Sequence, residues 1–311
     1  MATEKLHLNP LIGAAFVAAT ALIALCACFS ERHTVVPSTD ASATSLTDSD
    51  RMATVAPGPA PGSAPQPAQD ECPLRMPDRL PDRQVVVPIL MYHRIAYVDA
   101  STPEVTRRLT VSPEDFERQL RWLKRHGYGA ITQKELWDAL MCGRRLPRKP
   151  VLITLDDGYR DVFTKASPII ERLGMRATAY VITGRISRKS SFLKWEQLPK
   201  LERRGVEIGS HTVSHTAGLT SLSDDAARRE LVASRRILER KLDHRVPWFS
   251  YPLGDYDARI VRLARRAGYL LATTTVWGAR QSASRPLELT RLRVLDSTHV
   301  SGLAAMLAST T

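Results

Sequence analysis

The stretch Val151-Leu-Ile-Thr-Leu-Asp-Asp-Gly158, followed by an amphipathic run from Val162 to Leu173 and then by Ala177-Thr-Ala-Tyr-Val-Ile182, decides the architecture. A short apolar run, a helical stretch closed by Gly174 and a second short apolar run read as a strand, a crossover helix and a parallel strand. The rhythm continues in both directions. Upstream lie an apolar run from Val85 to Tyr92 and a helix near Ser112 to His126. Downstream come a helix from Trp195 to Arg204, a strand from Val206 to Ser210, a helix from Ser223 to Leu242 and a strand from Trp248 to Tyr251. A helix from Asp257 to Ala267 and strands at Leu270 to Thr275 and Leu289 to Leu295 complete the pattern. Seven or so strands alternating with helices point to an α/β barrel of parallel strands more than to an open sheet. Ser112-Pro113 and Ser223-Asp-Asp225 supply helix N-caps. Gly127, Gly174, Gly205 and Gly268 stand where helices must end in a left-handed residue.

In barrels of this kind chemistry gathers at the C-terminal ends of the strands. Three polar groups fall there: Asp156-Asp157, His211-Thr-Val-Ser-His215 and the Tyr251-Pro-Leu-Gly254 turn. One carboxylate and two imidazoles suit a borderline divalent ion such as zinc, and three protein ligands leave coordination positions open for water and substrate. The other carboxylate of the pair is then placed to take a proton from water, so the chemistry implied is metal-assisted hydrolysis. Taken singly, Asp-Asp-Gly is a common turn and a histidine pair at this spacing is often structural. Their co-occurrence at three strand ends favours the metal reading. Glu does not follow the first histidine, so this is not a zincin helix. The chain has no nucleotide-binding glycine loop, and hydrolysis needs no organic cofactor.

The 311 residues allow a sizeable core. Residues 1–30 pass from Lys5 and His7 into the apolar run Leu11 to Leu25 and read as an export signal or an uncleaved anchor. Leu25-Cys-Ala-Cys28 is similar to a lipobox, with ordinary cleavage nearby an equal alternative to lipid attachment at Cys28. Residues 31–83, dense in Ser, Ala, Thr and Pro, read as a disordered tether, leaving 84–311 as the folded domain. Export puts the domain in the periplasm or cell envelope, or on a membrane surface through its N-terminus, and disfavours nucleic acid as a partner. Protein partners are left open. The formal charge of +12 is read as solvated helix faces, with attraction to anionic headgroups or an acidic envelope polymer as the sharper alternative. Cys72 and Cys142 could pair in an oxidising compartment, but their different contexts favour two unrelated thiols.

Thr154-Leu-Asp-Asp-Gly158 and His211-Thr-Val-Ser-His215, in this order and context, resemble the first two motifs of the polysaccharide deacetylases, the NodB-homology domain of carbohydrate esterase family four. The resemblance spans roughly residues 85 to 300 and implies an irregular (β/α)7 barrel. It also implies a metal-dependent hydrolase removing N-acetyl groups from an envelope or extracellular polysaccharide that contains N-acetylglucosamine. By this resemblance Asp156 is the base, and Asp157, His211 and His215 hold a divalent ion, zinc first, with cobalt or nickel as alternatives. Phe249-Ser-Tyr-Pro-Leu-Gly254 resembles the third motif and makes the N–H of Leu253 an oxyanion donor. Two positions depart from the pattern: Ser250 stands where many members carry an Arg that orients the base, and Arg291 to Asp296 contains no histidine. Together with Val87-Pro-Ile-Leu-Met-Tyr-His-Arg94, these departures are similar to the poly-β-1,6-N-acetylglucosamine deacetylase branch and make His93 the candidate acid, with His299 the alternative. The competing expectations are an O-acetyl esterase on a xylan-like polymer and a glycan-binding domain without catalysis. Trp195 and Trp277 are candidates for lining a sugar cleft, Tyr256 for a loop at the mouth, and Tyr251 for burial in a strand.

Overall fold

In the computed structural model residues 72–216 and 218–310 are described. The signal or anchor expected over 1–30, Cys28 and the tether as far as residue 71 lie outside them. Seven strands form the core: β1 (Ile89–Tyr92), β2 (Pro150–Leu155), β3 (Ala177–Val181), β4 (Val206–Ser210), β5 (Trp248–Ser250), β6 (Leu271–Trp277) and β7 (Leu289–Arg293). Each pairs in parallel with the next, and β7 closes the ring on β1 with Leu292 opposite Leu90 and Arg293 opposite Met91. The expected (β/α)7 barrel is therefore present. Its irregularity has two sources: β4 and β5 meet only at Ser210 and Phe249, and the β6–β7 register shifts between Thr273 and Trp277. Every residue of β1 and β3 is buried, because one face packs inside the barrel and the other lies under helices.

The caps read from the sequence are in place. Ser112 Oγ accepts from Asp115 N at 3.1 Å at the head of helix Pro113–Arg125, and Gly127, just beyond its end, has φ 76°. Two expected helices are broken up by proline. The helix from Val162 is a π-helical turn to Ala166 followed by an α segment Ser167–Arg172, because Pro168 has no N–H for an i→i−4 bond. Likewise Trp195–Gln197 is a 3₁₀ turn ahead of Leu198–Arg203, whose first turn holds Pro199. Helix Gln133–Cys142 was not anticipated, although Thr132 and Glu135 form a complete capping box at its start.

The expectation of two unrelated thiols is corrected: Cys72 and Cys142 form a disulfide with Cα atoms 6.0 Å apart. Cys142 ends the unanticipated helix. Residues 72–83 carry no helix or strand and lie against the domain, with Trp137 Nε1 donating to Pro73 O at 3.1 Å and Ala283 N to Arg83 O at 2.8 Å. The bridge closes a loop of 70 residues, for which chain entropy gives about 4 kcal/mol. Cys142→Ser should lower the melting temperature by roughly 10 °C. Calorimetry with and without reductant checks this, and an unchanged melting point in both would remove the bridge's stabilising role.

Candidate metal centre and its carboxylate neighbour

Asp156 and Asp157 follow β2, and His211 and His215 follow β4, so both pairs sit at the C-terminal mouth of the barrel. Asp157 Oδ1 lies 3.6 Å from His211 Nε2 and 3.4 Å from His215 Nε2. All three ligand atoms lie within 4.8 Å of one another. Donors spaced this way fit a tetrahedral ion with bonds of about 2.1 Å. His211 Nδ1 donates to Ser250 O at 2.7 Å, which fixes the ring and turns the Nε2 lone pair toward Asp157. Burial keeps both imidazoles neutral at pH 7, with His211 brought down to about 3 and His215 also lowered. Burial, reinforced by the negative charge of Asp156, pushes Asp157 up to about 7. A buried carboxylate and two neutral imidazoles facing one point suit a divalent cation, whose charge would relieve the cost of ionising Asp157.

The loop bearing the histidines is clasped from outside. Glu230, on helix Asp224–Leu242, accepts from the backbone N–H groups of Val213 and Ser214 at 2.9 Å each and from Ser214 Oγ at 2.9 Å. From the same helix Ser234 Oγ donates to Thr212 O at 3.0 Å. These bonds hold Thr212 and His215 at φ 62° and 54°, where a non-glycine residue costs about 1–2 kcal/mol. Asp157 (φ 77°) and Leu253 (φ 57°) share that conformation, so four of the six such residues described lie in the segments forming the site. Strain gathered in this way marks a region whose geometry is held for function. Glu230→Gln should weaken metal binding about 10-fold while leaving the fold intact. Competition with a chromogenic chelator, set beside the circular dichroism spectrum, measures both.

Asp156 is buried and meets an arginine that sequence reading did not assign. Arg291, 1% exposed on β7, donates Nη1–H to Asp156 Oδ1 at 2.8 Å and Nη2–H to Asp156 Oδ2 at 2.7 Å. Its other donors go to Thr274 O (2.7 Å), Thr154 Oγ1 (3.2 Å) and Ser250 Oγ (3.1 Å), so all five guanidinium N–H groups are used. The small Ser250 side chain, in the place where an arginine was missed, leaves room for a guanidinium arriving from the last strand instead. Burial raises the Asp156 carboxyl, but the charge and paired hydrogen bonds of Arg291 overcome this and hold it well below the usual carboxylate range. The available signal was the period of the strand: Arg291 and Arg293, two residues apart, share the face opposite Leu292, and both line the cleft at the barrel mouth.

A cleft of about 650 Å³ opens over these groups. His93 and Leu253 line it, Leu253 being 63% exposed. His93 Nδ1 is buried without a hydrogen-bond partner among the described residues, and burial brings its ring down to about 4. His299 is not among the lining residues: its Nδ1 lies 3.6 Å from Asp115 Oδ1, ahead of helix Val300–Ala308. Trp195 packs on the core with Lys241 Nζ 5.6 Å from its ring centre, and Trp277 is exposed. Neither tryptophan lines the cleft, nor does Tyr256, which stacks on the buried Tyr251 at 5.1 Å.

A parallel seven-stranded barrel with an Asp-His-His cluster beside a guanidinium-held aspartate defines a class, and the chain belongs to the polysaccharide deacetylase family, a family of metal-dependent hydrolases. The family's sequence profile, described as polysaccharide deacetylase, matches residues 143–272. YxkH of Bacillus subtilis, a protein described as a polysaccharide deacetylase, is 31% identical over 72% of this chain and 76% of its own length. A poly-β-1,6-N-acetyl-D-glucosamine N-deacetylase of Staphylococcus aureus is 24% identical over 58% of this chain and 68% of its own. Among solved structures, the Streptococcus pyogenes deacetylase PplD in complex with acetate superposes with a TM-score of 0.67 at 31% identity, covering 72% of this chain and 99% of that one. The profile spans the Asp pair and the His pair but neither His93 nor Arg291.

Proposed function

We propose that this protein is an exported N-deacetylase that acts, with a bound divalent ion, on a polysaccharide containing N-acetylglucosamine. The observation that carries the reading is the convergence of Asp157, His211 and His215 within 4.8 Å beside the guanidinium-held Asp156. Zinc suits this donor set best. Bound there, the ion supplies Lewis acidity to the acetamide carbonyl and to the attacking water.

The chain's own groups supply the rest. Asp156 stays ionised throughout the neutral range and, held by Arg291, presents a fixed oxygen to take the proton of the water. Being a weak base, it depends on a water already made acidic. The Leu253 N–H, in a turn held at positive φ, is assigned as a donor to the developing oxyanion. His93 is neutral at rest, so the proton it gives to the departing amine must first reach it. Asp156 and His93 line the same cleft, which supports a route between them. The disulfide supports the exported reading, since such bridges persist in oxidising compartments.

The test is acetate release by the full chain, loaded with zinc, cobalt or nickel, from acetylated β-1,4 and β-1,6 glucosamine oligomers and from acetylated xylan. Turnover of the amides, abolished by chelation and by Asp156→Asn, is the expected result. Turnover of the ester alone would replace the proposed substrate, and glycan binding without turnover of any would replace catalysis.

A further inference from the structure

We infer that the glycan recognised by this cleft carries an anionic substituent, a carboxylate or a phosphate, on or next to the acetylated sugar. This deepens the reading above and rests on it. The cleft wall holds four arginines against two carboxylates. Arg291 is spent on Asp156, and Asp157 is committed to the ion. Arg108, Arg185 and Arg293 remain, and none of them forms an ion pair among the described residues. They come from three separate elements: the end of helix Glu104–Arg108, the turn after β3 and the end of β7. All three line the same cleft as Asp156, Asp157 and the two histidines, with Arg185 also packed over the Phe192 ring at 5.3 Å, so their charges border the space a substrate would fill.

A neutral N-acetylglucosamine polymer offers these groups only uncharged hydroxyl and carbonyl acceptors, with no charge to match theirs. Neutral pyranose rings are gripped by exposed aromatic faces, and this cleft has few. Of its aromatic residues, Tyr251 is fully buried, and the Tyr159 ring is already engaged by Phe192 at 4.9 Å and by the Arg94 guanidinium at 4.7 Å. Guanidinium groups pair with carboxylate or phosphate through paired hydrogen bonds. A divalent ion would add to the positive field. The field would also repel the ammonium of the product, so a sugar once deacetylated is held less firmly than its precursor.

The probes are three forms of one β-1,4 N-acetylglucosamine tetramer: unmodified, oxidised to the 6-carboxylate and phosphorylated at O6. Affinity is measured by calorimetry on the zinc-loaded full chain, and acetate release is followed in parallel. At 50 mM salt at least one acidic form should bind about 10-fold or more tightly than the neutral one, with the margin shrinking at 300 mM salt. Comparing the carboxylate with the phosphate tells which oxyanion the cleft takes. In the Arg108→Gln/Arg293→Gln variant the acidic-to-neutral affinity ratio should fall toward one. Equal or weaker binding of both acidic forms, or an unchanged ratio in the variant, overturns the inference. Preferential binding of an acidic form without acetate release supports the inference and defeats the deacetylase reading, so the two can fail separately.

Discussion

Replacing Arg291 by Met should reduce kcat/KM by roughly 10²- to 10⁴-fold, the range that a well-placed proton acceptor contributes, and should also unsettle the fold. The substitution strands Asp156, which is fully enclosed, without its cation and without the two bonds at 2.7 and 2.8 Å. Breaking a buried pair by removing one partner costs about 3–5 kcal/mol, or roughly 10 °C in melting temperature for a domain of this size. Arg291→Lys should fall between the two, since a lysine keeps the charge but cannot bridge both oxygens. The double variant Arg291→Met/Asp156→Leu should regain much of the lost stability and none of the activity, because no unpaired charge remains. Acid sensitivity should reverse in sign. In the wild type the carboxyl of Asp156 is depressed, so its contribution is complete above the ordinary value of about 3.9 and is lost as the pH falls below it. In Arg291→Met burial becomes the largest influence on that carboxyl and raises it, so acidification should relieve the fold instead. Melting curves from pH 3 to 7 decide this. Parallel pH profiles for the two proteins would show that Arg291 does not hold Asp156 ionised.

Metal uptake should weaken about tenfold for each pH unit below about 7 and level off above it. The sign follows from which ligand carries a proton. Burial and Asp156 bring Asp157 up to about 7, whereas His211 is lowered to about 3 and His215 also titrates below its ordinary value. Below pH 7 an incoming cation must displace a proton from Asp157, whereas His211 is already neutral there. Chelator competition between pH 5 and 8 gives the slope, and a flat profile would sink this assignment. His211→Ala removes a ligand and frees Ser250 O, and should cost at least about 100-fold in affinity. Acetate release should disappear with it. A variant retaining both would mean that the ion, if one is needed, binds elsewhere.

Much of this was legible in the chain because parallel strands buried on both faces leave an unambiguous apolar trace, and β2, β3 and β4 read almost to the residue. The Asp and His pairs were legible for a related reason: polar residues directly after such runs have only the barrel mouth to occupy. What was missed depended on packing. The guanidinium beside Asp156 is 135 residues away in the chain, and only closure of β7 on β1 brings the two together. The disulfide needed a helix that had not been recognised and a stretch, 72–83, whose composition carries none of the periodicity of regular structure. Glu230 looked like one more acidic residue on a basic, solvated helix, and its role emerges only once the His211–His215 loop is folded against it.

The closing strand has a bearing on how activity is acquired. β7 is the last strand of the ring in chain order, and it carries the Arg291 guanidinium that holds Asp156, while Asp157, His211 and His215 precede Arg291 by at least 76 residues. If turnover needs the Arg291–Asp156 pair, it would depend on the final seam of the ring, where the last strand meets the first.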